Sequence, residues 1–324
     1  MAHEISIRED GFAEMAYVGD APWHGLGQEL PEGQTIEQWR IAAGMDWNIQ
    51  EADVEFSYEQ DGETCYDSFP EKKILLRDDT REPLSVVGRG YKVVQPEEVL
   101  EFFRDLTYTN QMKLNTAGVL FGGRRFWALA DVGESFTLGD EDEIKAHLLL
   151  VTSTDGTLAT TAKFVATRVV CNNTLSWAMH SEEGRMVKVS HRSEFDPEAV
   201  KFDLDIYNDS WNEFTNNVAI LSKTKVNAKE RNKFFTNVAT KGDNVSKLKI
   251  ERLEDMYENA PGADMAKGTA WGLLNAVTYM YTHGTNQTQG DGSNKFWSGY
   301  NGVWYKEKQK AYKDITDRYI KVAA

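Results

Sequence analysis

A cysteine stands where an apolar run gives way to polar residues, in the stretch RVVCNNTL at residues 168–175. A thiol close to the first turn of a helix loses its proton more readily, and the thiolate is the reactive form. Cys171 is therefore a candidate nucleophile, with His180 or His191 as its base and Asn172 as the orienting group.

The same stretch also has a purely structural interpretation. Cys171 is then a small buried residue at the end of a strand, and Asn172 or Asn173 caps the helix that follows. No nucleophile-elbow motif accompanies the cysteine, which favours this second interpretation. Asp155, in the polar turn TSTDGT at residues 152–157, is a further catalytic candidate. Enzymatic activity stays open but is the least favoured function.

Metal and phosphate sites have no support in the sequence. The six histidines are scattered, and the chain has no HExxH, no paired CxxC and no EF-hand loop. It also lacks the P-loop and the complete dinucleotide fingerprint. We therefore expect neither a metal nor a cofactor.

Basic residues lie beside aromatic ones at several places, as in RRFW at 124–127. In single-strand binding, cations follow the phosphates while rings stack on bases. The alternative is that half-buried strands simply point their charges outward. Residues 221–252 add nine Lys/Arg against three acids, which is either a solvated helical face or a patch for a polyanion. The basic candidates for nucleic-acid contact are Arg124, Arg125, Lys163, Arg168, Lys223, Lys225, Lys229 and Arg231.

Acidic residues are concentrated at the N-terminal end. The net charge is −15, and residues 1–69 hold 16 Asp/Glu against two Arg. Such a segment could occupy the basic cleft of a host protein as a DNA mimic, or it could serve only solubility. No window of about 18 apolar residues exists, so we expect no membrane span. Two cysteines in 324 residues indicate free thiols in a reducing compartment.

Local patterns predict an α+β fold with three parts: an acidic entry segment with one helix (1–50), an α+β core domain (51–192) and an all-α helical domain (193–324). The core should hold a hairpin around Gly122-Gly123, two further strands and then a helix. A seam of apolar residues at heptad spacing then predicts a bundle core more readily than a dimer zipper. Its members are Val200, Leu204, Tyr207, Trp211, Phe214, Val218 and Leu221.

Four stretches occur in an order that resembles a known family: APWHGLG, GYKVVQPEEVLEF, TSTDGTLATTAKFVATRVVCNNTL and GTAWGLLNAVTYMYTH. The chain is similar to the phage/plasmid-like family of unknown function (domain of unknown function 932). This resemblance implies a phage or mobile-element protein working in the bacterial cytoplasm, and it implies no mechanism.

The predicted hairpin-β-β-α order also resembles the core of phage single-strand annealing proteins, which form rings or filaments around DNA. That analogy implies self-association, a phosphate contact at Arg168, and donors to phosphate from Asn172, Asn173 and the following helix. We therefore expect a single-stranded nucleic-acid-binding protein, with an annealing or recombination accessory role as the narrower form of this prediction. The alternatives are a host-protein inhibitor acting through residues 1–69 and an enzyme with Cys171 as nucleophile.

Overall fold

Strands predominate in the first half of the chain. The structure is a computed structural model, and it describes residues 5–19, 21–22, 25–108, 112–139, 142–168, 173–176, 186–203, 207–284 and 303–320. The strands of the large sheet are β1 (Met15–Tyr17), β2 (Gln28–Glu29), β6 (Lys113–Leu120), β7 (Arg125–Leu138), β8 (Asp142–Ser153), β9 (Thr160–Arg168), β10 (Asn173–Ser176) and β11 (Met186–Val189). Their order is β10-β9-β8-β7-β6-β1-β2, and β11 also pairs with β9.

The predicted hairpin is confirmed. Leu120 pairs with Arg125 across a 3-10 turn at Phe121–Gly123, and Gly122 has a φ of 69°. Glycine adopts this left-handed conformation at little cost, which is why the Gly-Gly signal located the turn. The two strands predicted after the hairpin are confirmed as β8 and β9.

The helix predicted to start at Asn172 or Asn173 is wrong over the described residues. Asn173–Ser176 forms β10, which runs antiparallel to β9 with Asn173 opposite Arg168. Asparagine favours tight turns as much as helix caps, so its presence did not decide between them. The free edge of β9 offers backbone partners for a strand, and this tertiary pairing prevails over the local capping signal.

Both faces of the large sheet are covered. Leu148 and Phe164 lie on one face, in the same buried cluster as residues of the C-terminal helices. Leu149 and Val165 lie on the other face, in a second cluster with Ile5 of the N-terminal segment. The central strands are therefore shielded from solvent on both sides.

A separate three-stranded sheet has the order β3-β4-β5, formed by β3 (Ile49–Gln60), β4 (Glu63–Arg77) and β5 (Pro83–Gly88). The base of β4 is buried, but residues 55–71 of the β3–β4 hairpin are exposed, with Cys65 half-buried. We call residues 55–71 the arm, because they extend beyond the part of the sheet that packs on the body.

The helices are α1 (Ile36–Ala42), α2 (Pro96–Glu101), α3 (Arg104–Tyr108), α4 (Pro197–Asp203), α5 (Tyr207–Lys223), α6 (Ala228–Ala239), α7 (Lys247–Asn259), α8 (Ala263–Ala266), α9 (Ala270–Tyr279) and α10 (Val303–Tyr319). A π-helical turn follows α9 at Met280–Gly284. One short hairpin, β12 (Thr240–Lys241) with β13 (Asn244–Val245), interrupts the otherwise helical C-terminal part. The α+β fold class is confirmed.

The heptad seam contributes to the core of the chain itself. Trp211, Phe214, Val218 and Leu221 on α5 are buried in the cluster that also contains Tyr312 of α10. The rings of Phe214 and Tyr312 are stacked with centroids 6.4 Å apart. This part of the seam therefore forms a bundle core, as expected, and does not face a second chain.

One cluster of buried residues extends from Ala16 to Ile315, so the sheet and the helices share it. Domain boundaries at 50 and 192 remain predictions. Across the described residues, no helix combines the length and apolar character needed to cross a membrane.

Candidate nucleic-acid interface

The predicted contact residues on the large sheet do not come together. Arg124, Arg125 and Asp155 lie at the end of the sheet where the β6–β7 and β8–β9 turns meet, because Arg125 pairs with Ser153. Arg168 pairs with Ile144 at the opposite end. The side chains of Arg168 and Asn173, and all of Cys171, Asn172 and His180, lie outside the described residues.

Arg125 is only 8% exposed, which contradicts its predicted role as a surface phosphate contact. Its Nη2 donates to Thr157 Oγ1 at 3.0 Å, and its guanidinium lies 5.0 Å from the centroid of the Phe121 ring. The guanidinium therefore holds the two neighbouring turns together. Of the two predicted arginines at this end of the sheet, only Arg124 is exposed and available to a ligand.

Asp155 stabilises the β8–β9 turn. Its Oδ1 accepts hydrogen bonds from the backbone N–H of Thr157 at 2.9 Å and from Thr157 Oγ1 at 2.5 Å. This Asx-type turn is the structural role that an Asp-Gly pair commonly takes. The geometry gives Asp155 no neighbouring nucleophile or base among these contacts.

His191, proposed above as a base, links two segments of backbone. Its Nδ1 lies 3.0 Å from the carbonyl oxygen of Lys92, and its Nε2 lies 2.9 Å from that of Leu158. The ring also stacks on Tyr91 at 4.4 Å between centroids. With both nitrogens engaged by backbone, His191 acts as a structural connection and not as a general base.

Lys163 is buried, which contradicts its predicted role as a nucleic-acid contact. It is 2% exposed and sits opposite Leu149, on the sheet face that carries the second cluster of buried residues. Burial lowers the pKa of Lys163 well below its usual range, and the nearby positive charges of Lys308 and Lys188 lower it further. The consecutive apolar residues around it, in KFVA, were a sign that this strand is buried on both faces.

The basic candidates of the helical part are better placed. Six exposed lysines lie within residues 223–247, and none of them makes an ion pair with any described residue. We call them together the lysine surface: Lys223, Lys225, Lys229, Lys233, Lys241 and Lys247. Arg231 differs, because it pairs with Glu254 at 3.0 Å and Glu258 at 3.3 Å. Its charge is therefore largely compensated within the protein.

Helix α6 orients the middle of this surface. Asn227 caps it by accepting from the N–H groups of Lys229 and Glu230, and the Glu230 carboxylate accepts from the N–H of Asn227. Phe234 and Phe235 on α6 are buried against the core. Lys229 and Lys233, four residues apart, share the exposed face and stand about 6 Å apart along the axis.

The lysine surface extends beyond both ends of α6. Lys223 and Lys225 precede the helix, and Lys241 and Lys247 follow it around the β12–β13 hairpin. Lys233, Lys241 and Lys247 were not among the candidates from the sequence, although the four-residue spacing of Lys225 and Lys229 leads to the first of them. Exposed aliphatic residues accompany the lysines: Ile220, Val245 and Leu248.

Within the part of the chain that the structure describes, no exposed aromatic ring lies close to these lysines in the sequence. Among the described residues, the exposed large aromatic side chains are Phe56, Tyr58, Tyr66, Phe69 and Tyr108, all distant in sequence from the helical part. The described lysine surface therefore offers charge to a phosphate backbone but no ring on which a base could stack. No cluster of three His, Cys, Asp or Glu side chains suited to a metal occurs within the described ranges.

Residues 83–315 match the family described as a domain of unknown function (DUF932). The chain belongs to this family. No curated protein and no solved structure matches it. The DUF932 region includes the lysine surface and the large sheet from β6 onward, while the arm lies outside it.

Proposed function

We propose that this DUF932 protein binds single-stranded nucleic acid through the lysine surface, as a component of a phage or mobile element. The observation that carries the proposal is the group of six exposed lysines without carboxylate partners among the described residues, on a chain with 51 Asp/Glu and 36 Lys/Arg. In such an acidic chain, uncompensated lysines at close spacing repel one another, and a bound polyanion relieves that repulsion.

Recognition would rest on the phosphate backbone and not on base identity. Lysine is a point charge on a flexible stem, so it follows phosphates without fixing a sequence. The lack of a described exposed ring beside the lysines supports the same conclusion. We therefore expect similar affinities for oligonucleotides of different sequence.

The salt dependence can be calculated from the number of lysines. For single strands the slope of log K against log salt is about −0.7 per neutralised phosphate, so six lysines give at most about −4. A rise from about 50 to about 200 mM salt would then weaken binding by up to about 300-fold. This steep dependence is the signature of the proposed contact.

Fluorescence anisotropy of a labelled single-stranded oligonucleotide at those two salt concentrations tests the proposal. The double variant Lys229→Ala/Lys233→Ala should reduce the slope by about 1.4, because two phosphate contacts are lost. The matched control is Lys92→Ala/Lys113→Ala, which removes two exposed lysines that pair with Glu194 and Glu32. No binding at low salt, or equal losses in both double variants, would refute the proposal.

An annealing role is a narrower form of this proposal. It was suggested by a β-β-β-α order, and because β10 occupies the place of the expected helix, that analogy now has less support. Annealing of two complementary labelled oligonucleotides, with and without the protein, tests it directly. An unchanged annealing rate would restrict the function to binding.

Contact with another protein through the acidic N-terminal end is the second candidate. The observation that favours it is the arm, where six carboxylates and four aromatic rings are exposed away from the core. A cytoplasmic setting and a host partner are parts of this proposal. Affinity capture from host lysate with the intact chain and with an arm-reversed variant, Glu55→Lys/Glu59→Lys, would separate specific partners from background.

A further inference from the structure

The arm is built as a contact element with uncompensated negative charge. Residues 55–71 contain six carboxylates and no Lys or Arg, and within the described chain none of these carboxylates forms an ion pair. Glu51 and Asp53, at the base of the hairpin, are by contrast paired with Lys73 and Arg89. Within the described chain, carboxylates at the base of the hairpin therefore form ion pairs and those of the arm do not.

Strand register divides the arm into two faces. Phe56 pairs with Asp67 and Tyr58 with Cys65, so these four side chains share one face, where the two rings lie 6.1 Å apart. Tyr66 pairs with Ser57 on the other face and is 77% exposed. Both faces thus combine aromatic rings with carboxylates.

Solubility explains the carboxylates but not the rings. Charged side chains protect the unpaired edges of a hairpin from adding further strands. Exposed rings have the opposite effect, and a two-stranded hairpin alone is only marginally stable in water. Tyr and Phe are enriched in the buried centres of protein interfaces. The arm therefore has the composition of a protein–protein interface, although its side chains are exposed in the single chain.

We propose that the arm of one copy packs on the lysine surface of a second copy. The carboxylates of the arm are opposite in charge to the lysines, and no member of either group forms an ion pair with a described residue of the same chain. The exposed aliphatic residues Ile220, Val245 and Leu248, beside the lysines, supply apolar surface for the rings of the arm.

The two surfaces also match in length. The regularly paired part of the arm, residues 55–60 with residues 63–68, has six residues on each strand and spans about 20 Å. Helix α6 has 12 residues, which corresponds to about 18 Å. Lysines at both ends of α6 can therefore meet carboxylates at both ends of the arm.

Two copies can bind each other reciprocally, arm to lysine surface, since each copy has one of both. Reciprocal contacts close a twofold dimer, and head-to-tail contacts build a ring or filament. This contact between copies uses the same lysine surface as the proposed function, but it does not require nucleic acid. If both hold, the arm and the nucleic acid compete, so that self-association regulates access to the lysines.

Charge reversal tests the contact. The arm-reversed variant Glu55→Lys/Glu59→Lys and the lysine-reversed variant Lys229→Glu/Lys233→Glu should each weaken self-association about tenfold or more, because like charges then face each other. Mass would be measured by light scattering after size exclusion, at about 50 and 500 mM salt without nucleic acid. Association of the wild-type chain should weaken at the higher salt.

An equimolar mixture of the two variants is the decisive sample. In a mixed pair the two introduced lysines of one arm meet the two introduced glutamates of α6 in the other copy, and the unaltered arm meets the unaltered lysines, so association should return to the wild-type level. The control Glu9→Lys/Glu134→Lys reverses two exposed, unpaired acids outside the arm and should associate normally. All changes are at exposed positions, and circular dichroism checks that each variant is folded.

A wild-type chain that stays monomeric at every concentration overturns the inference, as does a mixture that fails to associate. Failure of oligonucleotide binding is a separate result, since self-association is measured without any oligonucleotide. If both proposals are correct, the arm-reversed variant should bind the oligonucleotide at least as tightly as the wild type. Weaker binding by that variant would contradict the competition but not the dimer.

Discussion

Replacement of Glu14 by Gln should destabilise the fold far more than a surface charge change does. Glu14 is 1% exposed and accepts hydrogen bonds from Arg77 Nη1 at 3.1 Å, Arg77 Nη2 at 2.8 Å and Arg8 Nε at 2.8 Å. The Arg77 guanidinium also lies 4.0 Å from the Trp47 ring. This group joins the N-terminal segment to β4, the strand that continues into the arm.

The size of the effect follows from burial. Removal of one partner from a buried ion pair costs about 3–5 kcal/mol, because the other charge stays buried. Asp79 still accepts from Arg77, and the Arg77 guanidinium lowers the pKa of the Asp79 carboxyl, so part of the compensation survives. We therefore expect a loss of about 3 kcal/mol, which corresponds to a fall in Tm of about 4 °C for a chain of this length.

Thermal and urea unfolding of Glu14→Gln, followed by circular dichroism, provide the assay. Glu9→Gln is the matched control, because Glu9 is exposed and makes no ion pair with a described residue. It should change the free energy of unfolding by no more than about 0.5 kcal/mol. Equal stabilities of the two variants would refute the argument that this buried pair joins the two sheets.

Three further predictions concern local features. Gly272→Ala should destabilise α9, although Ala is normally the better helix former, because its Cβ would lie 2.3 Å from the carbonyl oxygen of Ala266. Asn227→Ala should cost about 1 kcal/mol, because α6 loses its N-cap. Burial lowers the pKa of Lys308 to about 7, so above that pH the unfolded chain binds more protons and stability rises with pH. Relative to Lys308→Met, the wild type should gain about 2 kcal/mol between pH 7 and 9.

Each of the three has its own control. Gly90→Ala adds a Cβ that meets nothing within 4 Å, so it should be nearly neutral in the same urea titration that tests Gly272→Ala. For the cap, Asn237→Ala changes an exposed Asn within the same helix, and a cost equal to that of Asn227→Ala would contradict the capping argument. For Lys308, the free energies of unfolding of the wild type and Lys308→Met are compared at each pH. A difference between them that does not vary with pH would show that the ammonium group of Lys308 keeps its usual pKa.

Local features were predicted well wherever the residues concerned had a single low-energy conformation. The Gly122-Gly123 turn was located because glycine tolerates a φ of 69°, which most residues avoid. Thr35, a residue type that favours helix caps, precedes α1, and its side chain accepts from the N–H of Gln38 at 3.3 Å. These contacts lie within a few residues, so the sequence contains all their participants.

Side-chain exposure on the sheet could not be predicted in the same way. The alternation in β9 indicated a strand but not what covers each face, so Lys163 was placed at the surface. Lys163 is buried near Lys308 of α10, which lies more than a hundred positions away in the sequence. Arg125 is buried for the same reason, since it packs beneath turns that meet only in the folded chain.

The amino-acid sequence by itself determined the composition of the two charged surfaces and the local elements that carry them. Only the tertiary structure decided that residues 55–71 stand away from the core, that Lys163 and Arg125 are buried, and that Asn173 begins a strand. The physical reason is that charge and backbone propensity are properties of neighbouring residues. Burial depends on which distant segment covers a face, and that is settled only when the whole chain packs.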